Sequence, residues 1–582
     1  MGTPYSPVVP VEERNSKLVA PVAPSLLPSW ESLSLKQQIA QMVVVRASGY
    51  LFDHQIQYPQ WEAPGVVLQH LIQDLGVGGV ILLGGSAPEV ALRTQQLQEW
   101  ATIPLFMAAD VEEGVGQRFP GGTWFPPPMA LAPILQANPA QACEYATQMG
   151  TVIARESLAI GLNWVLAPVV DVNNNPGNPV INVRAFGETP EAVGHLITAF
   201  LTGAQAYPVL TSAKHFPGHG DTAVDSHLEL PVLPHSADRL AQLELTPFAA
   251  AIAAGVDTVM SAHLQIPAWD TNHPATLSHP ILTGQLRQHL QFDGLIVTDA
   301  LVMGAITQRY GAAEAAVLAV EAGADILLMP LDPEAAITAV CEAVESGRIP
   351  QERIEAALER IWRAKFKVVG ASMPESAQSP HAWEQVTPPL TAHPQSLTTT
   401  LAQPDATALV QKILQEGLRV YQPVISRLYP PPLTHSAQNL ILVDRLAGSP
   451  FLSLQAPAVT IPQEWGYRLQ WVDQYTPNGL PDDLLQNSEP TLLQIFVRGN
   501  PFRGSAGLTQ TLQAWVRSLV KQESLQALIL YGSPYMLETL LEDLPPDVPY
   551  IFTYGQMPVA QTIALQTLLG DGQQRILQEF TD

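Results

Sequence analysis

The sequence predicts an α/β protein: a (β/α)8 TIM-type barrel followed by a smaller α/β domain. Three observations carry this expectation. Short, nearly uninterrupted apolar runs alternate with longer amphipathic stretches from about residue 35 to 369. Runs of that kind are strands covered on both faces, and helices between them make the sheet parallel. Polar residues then gather at the C-terminal ends of the runs, which is where such barrels carry their sites. Finally, a Pro-, Ser- and Thr-rich stretch separates this region from a second, shorter alternation of strands and helices.

Residues 1–34 form a proline-rich, aperiodic arm. The barrel, residues 35–370, is expected to use QMVVVRA (41–47), GVILLG (79–84), PLFMAAD (104–110) and NWVLAPVVD (163–171) as its first four strands. VLTSAKH (209–215), DTVMSAH (257–263), GLIVTDA (294–300) and ADILLMP (324–330) complete the eight. Six polar residues sit at the ends of these runs: Asp110, Asp171, Lys214, His215, His263 and Asp299. RIEAALERIWRAKFKVV (353–369) reads as a closing helix, and residues 371–400 as a linker. In the second domain, residues 401–582, strands are expected at 440–444, 492–499, 527–532 and 550–555. Helices are expected near 405–418, 508–521 and 558–569.

Composition narrows the function. The chain has 582 residues, 28 Lys+Arg against 53 Asp+Glu, and a formal charge of −25. That balance repels nucleic acid and anionic membranes and favours a small or neutral ligand. No apolar run reaches the ~18 residues of a membrane span. The N-terminus lacks a basic start followed by an apolar core, so a cytoplasmic protein is expected, although MGTPYS fits the loose myristoylation pattern. Cys143 and Cys341 read as buried thiols rather than a disulfide. Neither a GxGxxG turn opening a helix after a strand nor a Walker loop is present, so no cofactor is expected.

The densest chemistry lies in KHFPGHGDTAVDSHLELP, residues 214–231. His215, His219, Asp225 and His227 are all possible metal ligands. FPG separates the first two, however, and no HExxH, CxxC or EF-hand pattern supports a metal elsewhere. Acid–base chemistry is the other option. Asp225 lies two residues from His227, and a short loop can let the carboxylate fix one ring nitrogen while the other faces a substrate. A plain surface turn is the third.

KHFPGHGDT followed by DSHLELP resembles family 3 glycoside hydrolases, in the β-N-acetylglucosaminidase (NagZ-type) branch. FMAADVEEGVGQRF, INVRAFGETPE, VMSAH and GLIVTDALVMGAI resemble further segments of that family in matching order from about 35 to 369. ILYGSPYML is similar, more weakly, to the second domain of longer members. The resemblance implies a retaining exo-enzyme that removes terminal β-linked N-acetylglucosamine from peptidoglycan fragments or muropeptides. It assigns Asp299 as nucleophile and the Asp225–His227 pair as acid/base, with no metal. It also assigns Asp110, Arg118, Arg184, Lys214 and His215 to the sugar. Asp299 has an alternative as the N-cap of a helix over ALVMGAI, and Arg118 and Arg184 as members of structural ion pairs. His219, Asp221 and Asp171 are expected to hold the loops, and His263 to pack beneath the site.

Glu113 and Val115 depart from the family's E-G-G-R segment, which points to a changed loop or a changed aglycone edge. Beside a metal-dependent hydrolase using the histidine-rich stretch, three other functions compete. One is a β-glucosidase, another is a phosphorylase using phosphate in place of water, and the third is a non-catalytic carbohydrate-binding scaffold. Retention of Asp299, Asp225 and His227 together counts against the last.

Overall fold

The computed structural model describes residues 27–223, 230–369, 397–423, 437–447, 449–476, 489–498 and 506–570. The arm up to residue 26, segment 224–229 with Asp225 and His227, and linker residues 370–396 lie outside the described residues.

Eight parallel strands run in the order β7-β6-β5-β4-β3-β2-β1-β8. They are β1 (Val43–Ser48), β2 (Gly79–Leu83), β3 (Phe106–Ala109), β4 (Trp164–Val165), β5 (Leu210–Phe216), β6 (Thr258–Ser261), β7 (Leu295–Val297) and β8 (Leu327–Leu328). A parallel bridge between Val297 and Ile326 joins β7 to β8 and closes the ring. All eight expected strands are present, and almost every residue in them is buried, as continuous apolar runs demand. The fourth is shorter than expected. Pro168, without an N–H to donate, follows Val165 by three residues, and only Val169 bridges onward to Lys214.

The final barrel helix, Gln351–Val369, clamps the N-terminal end of the barrel. Lys365 Nζ donates to the carbonyls of Gly78 (3.0 Å) and Pro104 (2.5 Å), just before β2 and β3. Lys367 pairs with Asp257 at 2.6 Å, just before β6. Burial pushes the Lys365 ammonium down to about 7.

Asp325 is the centre of the β7–β8 seam. It is fully buried, accepts the Ile296 N–H at 3.0 Å, and pairs with Arg287 at 2.7 Å and Arg353 at 3.1 Å. Both guanidinium groups come from helices, so one carboxylate ties the last strand pair to its surroundings.

The second sheet has six strands in the order β11-β10-β12-β13-β14-β9. These are β9 (Arg419–Tyr421), β10 (Ala437–Val443), β11 (Tyr467–Val472), β12 (Thr491–Val497), β13 (Leu525–Gly532) and β14 (Tyr550–Thr553). All pairings are parallel except that of β9 with β14. The four expected strands and the helices Pro404–Glu416, Ala506–Lys521 and Pro558–Leu569 are found. Edge strands β9 and β11 and helices Pro457–Glu464 and Pro534–Leu541 were not expected. Residues 397–400, assigned to the linker, form a helical turn.

Cys143 and Cys341 are free, as expected, but half-buried rather than buried. Among the described residues no helix is long and apolar enough to cross a membrane.

Removing a buried carboxylate that holds several cations leaves uncompensated charge, at a cost of about 3–5 kcal/mol. Asp325→Ala is therefore expected to lower the urea midpoint strongly. Asp293→Ala breaks pairs with Arg360 and Arg363, but Asp293 is 49% exposed. It should cost less than about 1 kcal/mol. Equal losses in the two variants would contradict this account of the seam.

Candidate active site

The C-terminal ends of β3 and β5 meet over one buried charge cluster. Lys214, on β5, is 1% exposed and sits between two carboxylates. Its Nζ lies 2.7 Å from Asp110 Oδ1 and 2.6 Å from Glu112 Oε1. Glu112 in turn takes a two-point pair from Arg184, Nη2 to Oε1 at 2.8 Å and Nε to Oε2 at 2.9 Å. A third Arg184 nitrogen donates to the Val180 carbonyl at 3.0 Å. Arg118 donates from Nε to the backbone carbonyl of Asp110 at 2.9 Å.

The titration behaviour follows from this packing. Burial alone would raise the Glu112 carboxyl, but the charges of Arg184 and Lys214 outweigh it and hold it well below the usual range. Burial opposes the shift at Asp110 as well, and Lys214 and Arg118 bring that carboxyl down. Burial would depress the Lys214 ammonium, yet Asp110 and Glu112 raise it. All three groups therefore stay charged near neutral pH. Asp110, with 27% of its side chain exposed, is the member most open to solvent.

Asp171 organises the start of the histidine-rich loop. Its Oδ1 accepts the backbone N–H groups of His215 (3.1 Å) and His219 (2.7 Å), and its Oδ2 lies 2.8 Å from His215 Nδ1. A carboxylate acceptor places a proton on Nδ1 and orients the ring. Gly220 is required here, because a Cβ would stand 1.6 Å from the Val172 carbonyl oxygen. Burial pushes the His219 imidazole down to about 4, so it is neutral at pH 7, and it feels the charge of Asp299. Asp221 binds Asn174 (3.2 Å) and His235 (2.9 Å). The loop is anchored on both sides of segment 224–229: Thr222 bonds His219, and Pro231 accepts the Gln265 N–H at 2.9 Å.

Asp299 lies two residues past β7 and is half-buried. Its Oδ1 accepts the Ala300 N–H at 2.7 Å, and the Ala300 carbonyl meets His263 Nε2 at 3.1 Å. The next helix spans Gly304–Tyr310 and has Met303 at its N-cap, so Asp299 is not the cap of that helix.

Asp110, Arg118, Arg184, Lys214, His215 and Asp299 thus all belong to the C-terminal end of one barrel. Lys214 and Arg184 have their charges taken up by protein carboxylates. For Arg184 this is the ion pair that the sequence left open as an alternative. The residue missed by sequence reasoning is Glu112, the central carboxylate. Its signal was present in the acidic run DVEE, but Asp110 drew the assignment.

Glu113, which pointed in sequence to a changed loop or aglycone edge, faces the second sheet unit. It is fully buried, accepts from Trp124 Nε1 at 3.0 Å, and makes a two-point pair with Arg498 of the second sheet unit, whose Nη1 lies 3.0 Å from Oε2. Trp124 also packs on Phe451 at 4.5 Å between ring centroids. On the other side, Asn173 Nδ2 donates to the Tyr535 hydroxyl at 2.8 Å, and Ser533 Oγ donates to Asn182 at 3.0 Å. The second unit therefore braces both loops that carry the cluster: the one after β3 and the one leading to Arg184.

Comparison with known proteins bears on the family and the fold. Residues 34–364 match the glycosyl hydrolase family 3 N-terminal domain, and residues 432–570 match the bacterial glycosyl hydrolase family 3 C-terminal domain. A β-hexosaminidase A of Pseudoalteromonas piscicida is 36% identical over 336 residues, covering 52% of this chain and 56% of that protein. A β-N-acetylglucosaminidase/β-glucosidase of Cellulomonas fimi is 29% identical over 391 residues, covering 64% of this chain and 65% of that protein. The match thus spans less than two thirds of either relative. The solved structure of a family 3 β-N-acetylglucosaminidase from Paenibacillus sp. str. FPU-7 superposes with a TM-score of 0.74 at 30% identity. That similarity covers 93% of this chain and 97% of the other.

The Glu113–Arg498 pair is expected to couple the two units energetically. A double-mutant cycle with Glu113→Gln and Arg498→Met, read by urea unfolding, should give a coupling of about 1–3 kcal/mol. A coupling near zero would mean that the pair forms without bracing anything.

Proposed function

This chain belongs to glycosyl hydrolase family 3, and from that premise we propose that it is a retaining exo-β-N-acetylglucosaminidase with Asp299 as its nucleophile. The observation that carries the reading is the position of Asp299. It is a half-buried carboxylate two residues beyond β7, in the same barrel mouth as the Asp110–Lys214–Glu112–Arg184 cluster. A terminal sugar entering that mouth meets Asp110 and the His215 ring as hydrogen-bonding partners. The charge-assisted bonds that Asp110 offers to hydroxyls are stronger than neutral ones. Lys214, Glu112 and Arg184 act mainly by holding Asp110 and its loop rigid. Arg118 steadies the same loop from the Asp110 carbonyl.

In the first step the Asp299 carboxylate attacks the anomeric carbon while the leaving oxygen takes a proton from His227. In the second, His227 removes a proton from water, which cleaves the glycosyl–Asp299 ester. Two displacements at one carbon retain the β-configuration. Asp225 orients the His227 ring and stabilises its cation, as a buried aspartate does for a catalytic histidine. What supports this assignment is the sequence resemblance and the anchoring of both ends of segment 224–229 at the mouth. The neutral, buried His219, which feels the charge of Asp299, adds no competing positive charge at pH 7.

The Pseudoalteromonas β-hexosaminidase A, the Cellulomonas β-N-acetylglucosaminidase/β-glucosidase and the Paenibacillus structure favour N-acetylglucosamine as the sugar. The resemblance to the recycling branch extends that to peptidoglycan fragments as natural substrates and to a cytoplasmic enzyme. A second reading, β-glucosidase activity, has one specific support: the Cellulomonas relative carries both names.

Paired aryl substrates separate the readings. The wild type should cleave the aryl β-N-acetylglucosaminide much faster than the β-glucoside, and NMR should show the β-anomer as the first product. His227→Ala is expected to lose about 10²–10⁴-fold on poor leaving groups, with a smaller loss on activated ones. Activity within about twofold of wild type on a poor leaving group would remove His227 from the mechanism.

A further inference from the structure

A cavity of about 400 Å³ lies on the β8–β1 side of the barrel, apart from the charge cluster. Its lining includes Arg46, Trp61, Glu62, His70, Val302 and Met329. Val302 is three residues beyond Asp299, and Met329 directly follows β8, so the cavity borders the catalytic mouth. Its volume lies within the roughly 300–1,000 Å³ of small-ligand sites.

Trp61 of that lining belongs to an aromatic pair with Tyr58. Tyr58 and Trp61 stack with centroids 5.9 Å apart and planes 19° apart. The Arg46 guanidinium carbon lies 5.1 Å from the Tyr58 ring centroid and 5.5 Å from that of Trp61. Arg46 is itself fixed by Glu62 at 2.8 Å, and the two side chains are only 9% and 3% exposed. Burying an ion pair costs desolvation energy, yet here it supports rings that remain 44% and 38% exposed. Rings serving only to fill a core would be covered. At the rim, His70 bridges Asp74 and Glu334, 2.8 Å from each, which sets carboxylates beside the opening.

A flat, electron-rich ring face flanked by a guanidinium and carboxylates suits a hexopyranose. The weakly positive C–H face of the sugar packs on the ring, and its hydroxyl edge reaches the charged groups. An exo-acting site encloses only the terminal sugar, so the rest of the glycan has to leave over the rim of the mouth. We propose that the Tyr58–Trp61 platform is a distal subsite on the leaving-group side, binding a sugar of the glycan beyond the cleaved bond. This rests on the glycosidase reading above for the direction in which the substrate runs.

The test compares chitotetraose with an aryl β-N-acetylglucosaminide in the full-length protein. In Trp61→Ala the ratio of kcat/KM for chitotetraose to that for the aryl glycoside is expected to fall about tenfold, through KM. Trp61→Phe keeps a ring and should recover most of that ratio, which separates stacking from a folding defect. A Trp61→Ala ratio within about twofold of wild type would overturn the subsite. If wild type turned over neither substrate, the glycosidase reading would fall instead. Chitotetraose titration followed by tryptophan emission, compared between wild type and Trp61→Phe, would then judge the platform alone. A saturable change assigned to Trp61 supports it, and no change overturns it.

Discussion

The ammonium of Lys214, buried between the carboxylates of Asp110 and Glu112, is the interaction on which the candidate site depends. A buried cation needs its partners at hydrogen-bond distance, so the ends of β3 and β5 can meet in few ways. Glu112 then needs a second cation, which Arg184 supplies from the loop after β4. Three segments far apart in sequence are thereby fixed by two acids and two bases. The compensation keeps every member charged, as their opposite shifts show.

The barrel divides its labour between its two ends. At the N-terminal end, Lys365 and Lys367 of the helix Gln351–Val369 hold backbone carbonyls and Asp257, and Arg353 meets Asp325. These contacts stand just before β2, β3, β6 and β8, whereas Asp299 follows β7. At the C-terminal end the same types of residue are arranged around an opening. The second sheet unit touches this end on two sides, through Arg498 to Glu113 and through Ser533 and Tyr535 to the Arg184 loop. Its place in the molecule is that of a buttress for the site loops, with Glu113 receiving it on one side.

How much of this was legible in sequence depended on locality. The eight barrel strands could be read because each is a short apolar run whose whole length is buried. Asp110, Lys214, His215 and Asp299 could be placed because they follow such runs directly. β9 could not, since its three residues are all exposed, and half-buried β11 carries no clean alternation. The partner of Glu113 stands 385 residues away, so only the three-dimensional fold brings it into contact. Glu112 was obscured by its neighbour Asp110, because sequence does not say which of two nearby acids turns inward. Asp225 and His227 rest on motif resemblance, and segment 224–229 lies outside the described residues.

The central claim is that Asp299 forms the bond to the sugar. Its most direct test is an intact-mass and peptide-mass measurement after exposure to an activated 5-fluoro analogue of N-acetylglucosamine, which forms a glycosyl ester faster than water can cleave it. The account predicts one added sugar per chain, located on the peptide containing Asp299 and absent in Asp299→Asn. An adduct on another carboxylate, or turnover of the analogue with no enzyme-bound sugar at any time, would contradict it.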